Sequence, residues 1–331
     1  MKRYRVLLIG AGQLGSRHLQ GLAKSTLALD IDIVDISPES LEVAKQRFFE
    51  VSPVNVTIGE MKTALKELPA KNYDLAILAT NADIRELITK QLLYCHNVSN
   101  IIFEKVAFQS VEQFKRVFEL LNDKGVKSWV NCARRYFVGY KKLAQELKNK
   151  GPLDFKLIGT EWGLACNSVH YIDLFFFLSG DSEYVITEDS IENKIYDSKR
   201  KGFVEFYGYF IGMSKNGSAF KIECNHLDSN QEMRPTSIEI IQASKSYRIE
   251  ESKNIISVFD KDNNSLVKEF EVGIIYQSSL TGFQAEDIIL NNKSNLPTIE
   301  ESYNAHKPFL NMLKSKYESI TCKLMETIPI T

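Results

Sequence analysis

Gly10, Gly12 and Gly15 stand at the spacing G-x-G-x-x-G within VLLIGAGQLGSRHLQGL, residues 6–22. An aliphatic run precedes them and a helical pattern follows, so they occupy a strand-to-helix turn. In that setting the first glycine permits the tight turn, the second lets a pyrophosphate approach the backbone, and the third lets strand and helix pack closely. Gln13 and Leu14 open the helix, whose free N–H groups and dipole favour an anion. The chemistry on offer is a grip on the phosphates of a dinucleotide. The same spacing also occurs in simple turns, so a second contact has to be found.

Asp35 supplies a candidate. It ends the second strand-like run, DIDIVDI, about 20 residues past the glycines, where an acidic residue hydrogen-bonds the adenosine ribose hydroxyls. A carboxylate there repels a 2′-phosphate and no arginine follows within the next few residues, so NAD(H) is expected over NADP(H). The alternative is that Asp35 only caps the turn into the next helix.

The elements that must position these residues follow an alternating pattern. From Tyr4 to about Trp129, short β-branched runs (RVLLIG, DIDIVDI, YDLAILAT, NIIFEK, VKSWVN) alternate with helical stretches, which is the pattern of a parallel sheet wrapped by crossover helices. Ser37 can cap the second helix, with Pro38 at its first position. After Asn131 the rhythm changes: one helix leads into adjoining strand-like runs at DFKLIGTEWG, FVEFYGYFIGM, SAFKIECNH, TSIEIIQAS, SYRIEES and NIISVFD, with a hairpin turn at Asn216-Gly217. Helical signals return at SVHYIDLFFFLSG, SSLTGFQAEDIILN and TIEESYNAHKPFLNMLKSKY. The expected class is α/β, a doubly wound parallel sheet of Rossmann type over residues 1–130 followed by an α+β domain with a large, mostly antiparallel open sheet over 131–331.

Composition narrows the function. With 331 residues, 44% hydrophobic, 25% charged and 41 basic against 42 acidic side chains, the chain carries no bias toward nucleic acid or an anionic membrane. Cys95, Cys132, Cys166, Cys224 and Cys322 form no CxxC pair, and His96, His226 and His306 show no metal-like spacing, so no metal site is expected and these histidines read as structural. No signal peptide or membrane-spanning run is recognisable, which points to a cytoplasmic protein.

GAGQLGSRHLQGL, AILATNADIREL, FEKVAF and NSVHYIDLF, in that order, together resemble the Gfo/Idh/MocA oxidoreductases, over essentially the whole chain. The resemblance implies a nicotinamide cofactor, a sugar-like small-molecule substrate, hydride transfer at a CH–OH carbon, and a homodimer or homotetramer formed through the C-terminal sheet. It places Thr80 and Asn81 under the nicotinamide ribose, Glu104 near the nicotinamide and Lys105 on the reacting hydroxyl. An ammonium there stabilises developing alkoxide charge. Val106 replaces the family's proline, where the preceding bond is often cis, and a non-proline residue makes that isomer costly. His170 matches the family's proton-relay histidine and Asp173 the acidic residue after it, but Cys166 stands where a catalytic aspartate is expected. Asn167 and Ser168 could hydrogen-bond a polar substrate. Asn131, Arg134 and Arg135 fall where the chain passes between domains, and a guanidinium fork there could hold a carboxylate or phosphate. The expected activity is that of an NAD-dependent sugar dehydrogenase, with surface polysaccharide synthesis among its settings. The alternative is a dinucleotide-binding regulatory protein that has lost turnover, favoured by Val106 and Cys166.

Overall fold

The run RYRVLLI forms strand β1 (Arg3–Ile9), and in the computed structural model, which describes residues 2–227 and 232–331, it lies inside a six-stranded parallel sheet. Its companions are β2 (Ala28–Val34), β3 (Val56–Lys62), β4 (Leu75–Leu78), β5 (Asn100–Phe103) and β6 (Lys127–Val130), in the order β3-β2-β1-β4-β5-β6. Val6, Leu7 and Leu8 are fully buried. Strands covered on both faces read as continuous apolar runs, which is why these were legible. The order reverses between β1 and β4, the point at which such sheets take ligands beyond their strand ends.

Helices α1 (Gln13–Ala23), α2 (Pro38–Phe49), α3 (Ala82–Cys95) and α4 (Val111–Asp123) lie between the strands. Ser37 caps α2 as expected, its Oγ accepting the Ser40 N–H at 3.1 Å. On α3, Glu86 accepts from Arg116 of α4 (Nε at 2.7 Å, Nη2 at 2.9 Å) and from Lys90 at 2.7 Å. The Arg116 bonds outweigh burial and hold the Glu86 carboxyl down to about 2. A folded pKa below the unfolded one means the contribution is complete above about pH 4.5 and lost as pH falls toward 2. Glu86→Gln is expected to cost on the order of 1 kcal/mol at neutral pH, since the partly exposed Arg116 and Lys90 are screened. Unfolding curves of the two proteins should therefore converge near pH 2.

By its contacts the chain divides into Met1–Phe108, Glu112–Asn131 and Ile275–Ile299 in one unit, and Gln109–Val111, Cys132–Ile274 and Glu300–Thr331 in the other. Residues 275–299, which the sequence reading leaves in the second half, thus group with the first unit. Their helix, α7 (Gln277–Asn291), docks on α1 through glycine. A Cβ on Gly21 would lie 2.7 Å from the Gln277 carbonyl oxygen and 2.8 Å from Thr281 Cβ, so only glycine admits this approach.

The second unit holds an eight-stranded sheet built from β7 (Asp154–Thr160), β8 (Tyr184–Ile191), β9 (Gly208–Ser214), β10 (Ala219–Asn225), β11 (Ser237–Gln242), β12 (Lys245–Glu250), β13 (Ile255–Asp260) and β14 (Leu266–Glu271). Its order is β8-β9-β10-β7-β11-β12-β13-β14, antiparallel except for the parallel pair β10–β7. Gly217, at φ +91, turns β9 into β10 as the Asn-Gly pair predicts. The unit's helices are α5 (Val138–Leu147), α6 (Leu164–Ser179) and α8 (Ile299–Thr321), and Phe175 of α6 packs on Phe155 and Phe220 of the sheet. The α/β class and the mostly antiparallel second sheet are as expected. No helix among the described residues is long and apolar enough to cross a membrane.

Three strands of these two large sheets escaped the sequence reading: β3, β8 and β14. Each lies at a sheet edge, and most of their residues are exposed or half-buried. An edge strand needs little apolar surface, so its pattern is weak.

Candidate functional site

Beyond the end of β1, Gly10 adopts φ +93, and its N–H donates to the Val34 carbonyl at 2.8 Å. A Cβ on Gly15 would fall 1.8 Å from the Gly10 carbonyl oxygen, whereas one on Gly12 meets nothing within 4 Å. The loop is therefore closed on its packing side and open on the other. Gly12 is the N-cap of α1 and no side chain caps the helix, so its first N–H groups are available to an anion. Gln13, the first residue of α1, accepts from Arg47 through its Oε1 at 3.0 Å. Leu14 is half-buried.

A cavity of about 340 Å³ opens here, lined by Gly10, Gly12, Asp35, Ile36, Thr80 and Ile84 among others. Asp35 caps the turn that follows it and braces the glycine loop. Its Oδ1 accepts the Ser37 N–H at 2.8 Å, bracing the turn, and its Oδ2 accepts the Ala11 N–H at 2.5 Å, tying β2 to the glycine loop. Each oxygen keeps a further lone pair for a ligand hydroxyl. Thr80 lines the same cavity, and its buried Oγ1 has no hydrogen-bond partner among the described residues. Asn81 lines it too and occupies the N-cap position of α3. An open glycine cradle, an uncapped helix start, a carboxylate with spare acceptors and an orphaned hydroxyl fit a dinucleotide.

Glu104 is expected beside that ligand, but its carboxylate lies in an internal network. Oε1 accepts from His18 Nε2 at 2.8 Å and Asn131 Nδ2 at 2.5 Å, and Gln277 and Gln284 of α7 hold Asn131 at 2.9 Å each. His18 Nδ1 lies 3.1 Å from Thr281 Oγ1 and 3.3 Å from Gln277 Nε2. Burial works to raise the Glu104 carboxyl; His18, Asn131 and Lys105 overcome it and hold it below the usual range. A buried carboxylate satisfied this way fixes the start of the Lys105 loop.

The Lys105–Val106 peptide is cis although its second residue is valine. The loop is held by Arg85 of α3, which is 1% exposed. Its Nη1 donates to the carbonyls of Glu104 at 2.7 Å, Ala107 at 2.8 Å and Val106, and its Nη2 to the Thr80 carbonyl. One guanidinium thus joins the Thr80 turn to the Lys105 loop. Lys105 itself is half-buried. Sequence reasoning missed Arg85, yet a signal existed: it falls on the stripe Ala82, Arg85, Thr89, Leu92, whose other members are buried at helical spacing.

In the second unit the polar residues expected to meet substrate have partners within the unit. Arg134 forms a bidentate pair with Glu251 (2.8 and 2.7 Å), stacks 4.2 Å over the Tyr171 ring, and shares Glu251 with the Tyr140 hydroxyl. Burial opposes ionisation of Glu251, and Arg134 with Tyr140 overcomes it. Arg135 grips Asp173 at 3.0 and 2.7 Å; burial lifts that carboxyl to about 6 against the pull of Arg135. Ser168, fully buried, donates to the Leu164 carbonyl at 2.6 Å, and Asn167 donates to the Trp162 carbonyl at 2.7 Å. These side chains hold the unit together: a buried charge must find a partner, and here the partner is internal.

Cys166 lies half-buried in the first turn of α6, with half-buried His170 one turn on. Glu205 caps that start from outside, its carboxylate accepting the N–H of Ala165 at 2.7 Å and of Cys166 at 3.2 Å. A carboxylate therefore sits beside Cys166, though it comes from another element. Burial raises it above the usual range. Among the described residues no group of three or more His, Cys, Asp or Glu side chains is placed to hold a metal ion.

Residues 4–132 match the model of an oxidoreductase family with an NAD-binding Rossmann fold, Gfo/Idh/MocA. No curated protein matches the chain by sequence. Among solved structures, a 3-ketoreductase from Actinomadura kijaniata in complex with NADP aligns with TM-score 0.72 at 14% identity, over 95% of this chain and 98% of that one. A Gfo/Idh/MocA family oxidoreductase from Vibrio cholerae aligns with TM-score 0.69 at 13% identity, over 96% and 99%. The UDP-N-acetylglucosamine 3-dehydrogenase of Acidithiobacillus ferrooxidans aligns with TM-score 0.68 at 12% identity, over 97% and 99%. Residues 4–132 thus match the NAD-binding Rossmann fold of the Gfo/Idh/MocA oxidoreductases, and the chain as a whole shares its fold with the Vibrio cholerae oxidoreductase over nearly its full length.

Proposed function

We propose that this chain is an NAD-dependent dehydrogenase that transfers hydride between nicotinamide and a hydroxyl or keto carbon of a sugar or sugar derivative. The observation that carries the reading is the open side of the glycine cradle at the uncapped start of α1, with Asp35 in the same cavity. Likeness in fold to a 3-ketoreductase and to a dehydrogenase of a nucleotide-linked sugar supports the substrate class. Nucleotide-linked sugars and surface polysaccharide synthesis belong to this reading.

When bound, the cofactor supplies a hydride donor or acceptor at its nicotinamide ring. The residues assigned here to hold it are Gly10, Gly12, Gly15, Asp35, Thr80 and Asn81. The Asp35 carboxylate disfavours a 2′-phosphate, which supports NAD over NADP. Lys105 is assigned to the reacting oxygen, where its ammonium stabilises alkoxide charge, and His170 keeps the proton-relay role that the family resemblance implies. Assembly into a homodimer or homotetramer through the eight-stranded sheet is part of the proposal; the edge strand β14 exposes Leu266 and Val267. So is a cytoplasmic location, consistent with the absence of a disulfide among the described residues.

The test is titration with NAD(H) and NADP(H), followed by absorbance at the NADH band with NAD and a panel of free and nucleotide-linked sugars. Tighter binding of NADP(H) would refute the cofactor assignment. Lys105→Ala is expected to lower turnover roughly 100-fold or more while cofactor affinity stays nearly intact. Cofactor binding without turnover on any sugar would favour the regulatory alternative, for which Cys166 speaks.

A further inference from the structure

Helix α1 begins at the glycine cradle, and its buried side runs on through Gly15, His18 and Gly21 at three-residue steps. Gly15 lies against the Gly10 carbonyl and Gly21 against α7, so backbone contact fixes the helix at both points. His18 stands between them and is fully buried. An imidazole in such a place must find partners for its ring nitrogens, whereas a leucine would fill the space without that requirement. One partner that His18 finds is the residue directly before Lys105.

Nε2 of His18 lies 2.8 Å from Glu104 Oε1, and the other oxygen, Oε2, accepts the Lys105 backbone N–H at 3.3 Å. One carboxylate therefore ties a side chain of α1 to the main chain of the Lys105 loop. Burial opposes the ionised form of Glu104, and His18 leads the groups that outweigh it. An ionised carboxylate only accepts, so Nε2 carries a hydrogen. On the far edge of the ring, Nδ1 faces Thr281 Oγ1 at 3.1 Å and Gln277 Nε2 at 3.3 Å, and that amide also donates to Thr281 Oγ1 at 2.7 Å. Held from α7 on one edge, the ring aims its other edge at Glu104. Asn131 donates to the same Oε1, yet only His18 belongs to the helix whose start opens on the dinucleotide cavity. All these residues lie in the first unit.

We propose that His18 is a positioning residue for hydride transfer: through Glu104 it fixes the main chain at Lys105, and with it the place of the ammonium relative to a dinucleotide held at the start of α1. This rests on the hydride-transfer reading above, in which Lys105 meets the reacting oxygen. Without the imidazole, the buried Oε1 loses a charge-assisted bond, and the carboxylate turns or takes up a proton to relieve the deficit. Either change loosens its hold on the Lys105 N–H. A reacting group displaced by about 1 Å loses on the order of 100-fold in rate.

The test compares the full-length wild type with His18→Leu, which fills the space without a donor, and His18→Gln, whose amide still reaches toward Glu104. The wild type is expected to show a hydrogen on His18 Nε2 by 15N NMR, assigned by its loss in His18→Gln, and a Lys105 amide that exchanges slowly with solvent deuterium. In His18→Leu that amide should exchange roughly 10-fold faster or more, while the amides of β1 stay protected. With a sugar that the wild type oxidises, His18→Leu should lower kcat roughly 100-fold and leave KM and NAD affinity nearly unchanged, and His18→Gln should regain most of the loss. A role in packing alone predicts the opposite order, because leucine suits an apolar space better than glutamine. A bare Nε2 in the wild type overturns the proposal without any variant. So does wild-type kcat with unchanged Lys105 exchange in His18→Leu, or a His18→Gln no more active than His18→Leu. Failure of the hydride-transfer reading shows instead in the wild type, as no NAD binding or no NADH from any sugar, and removes the catalytic role of His18 with it.

Discussion

Gly12→Ala is expected to bind NAD about 30-fold more weakly with an unchanged thermal transition, whereas Gly15→Ala loses both binding and stability. The two glycines sit three residues apart, yet an added methyl meets different surroundings. At Gly12, φ −61 and ψ −160 suit alanine, and the new Cβ stands in open space on the ligand side of the loop. Forcing a methyl into a space that a ligand must fill costs ~2 kcal/mol, all of it in binding. At Gly15 the new Cβ would lie 1.8 Å from the Gly10 carbonyl oxygen and 2.7 Å from its carbon, both backbone. The loop must move, at ~3 kcal/mol or more. Calorimetry with and without NAD on both variants checks the contrast; equal loss of stability would show that Gly12 also serves packing.

Replacing Arg85 is expected to have the largest effect of any substitution away from the ligand. Arg85→Met fills similar volume but leaves the Thr80, Glu104, Val106 and Ala107 carbonyls without their donor, and ~3–5 kcal/mol is expected from several buried acceptors left unmade together. Arg85→Lys keeps the charge but not the fork, and should recover less than half of that loss. Because the same guanidinium joins the Thr80 turn to the Lys105 loop, both variants should lose turnover at temperatures where they remain folded. Denaturant unfolding together with kcat measured well below the midpoint separates the two effects. Full activity in folded Arg85→Met would show that the Lys105 loop holds itself.

Much of the first unit was legible because its determinants are local. A glycine at a tight turn, an aliphatic run buried on both faces and a serine before a helix each act through neighbours in the chain. Arg85 shows the limit within that unit: its position on a buried stripe was readable, but the four carbonyls it serves were not. Edge strands such as β14 were missed for a related reason, since half-solvated backbone asks little of its side chains.

In the second unit the residue types suggested ligand contacts, and the fold gives them internal partners far along the chain. Arg134 finds Glu251 across 117 positions and Arg135 finds Asp173 across 38. His226, read from the sequence as structural, finds Glu161 across 65.

By itself, then, the sequence determined the glycine cradle, the acidic end of β2 and the alternation of strands and helices, because sterics and hydrophobic periodicity operate over a few residues. Only the tertiary structure decided which charged side chains pair with one another. That outcome depends on sheet register and helix docking, which bring together residues whose spacing along the chain carries no trace of the meeting.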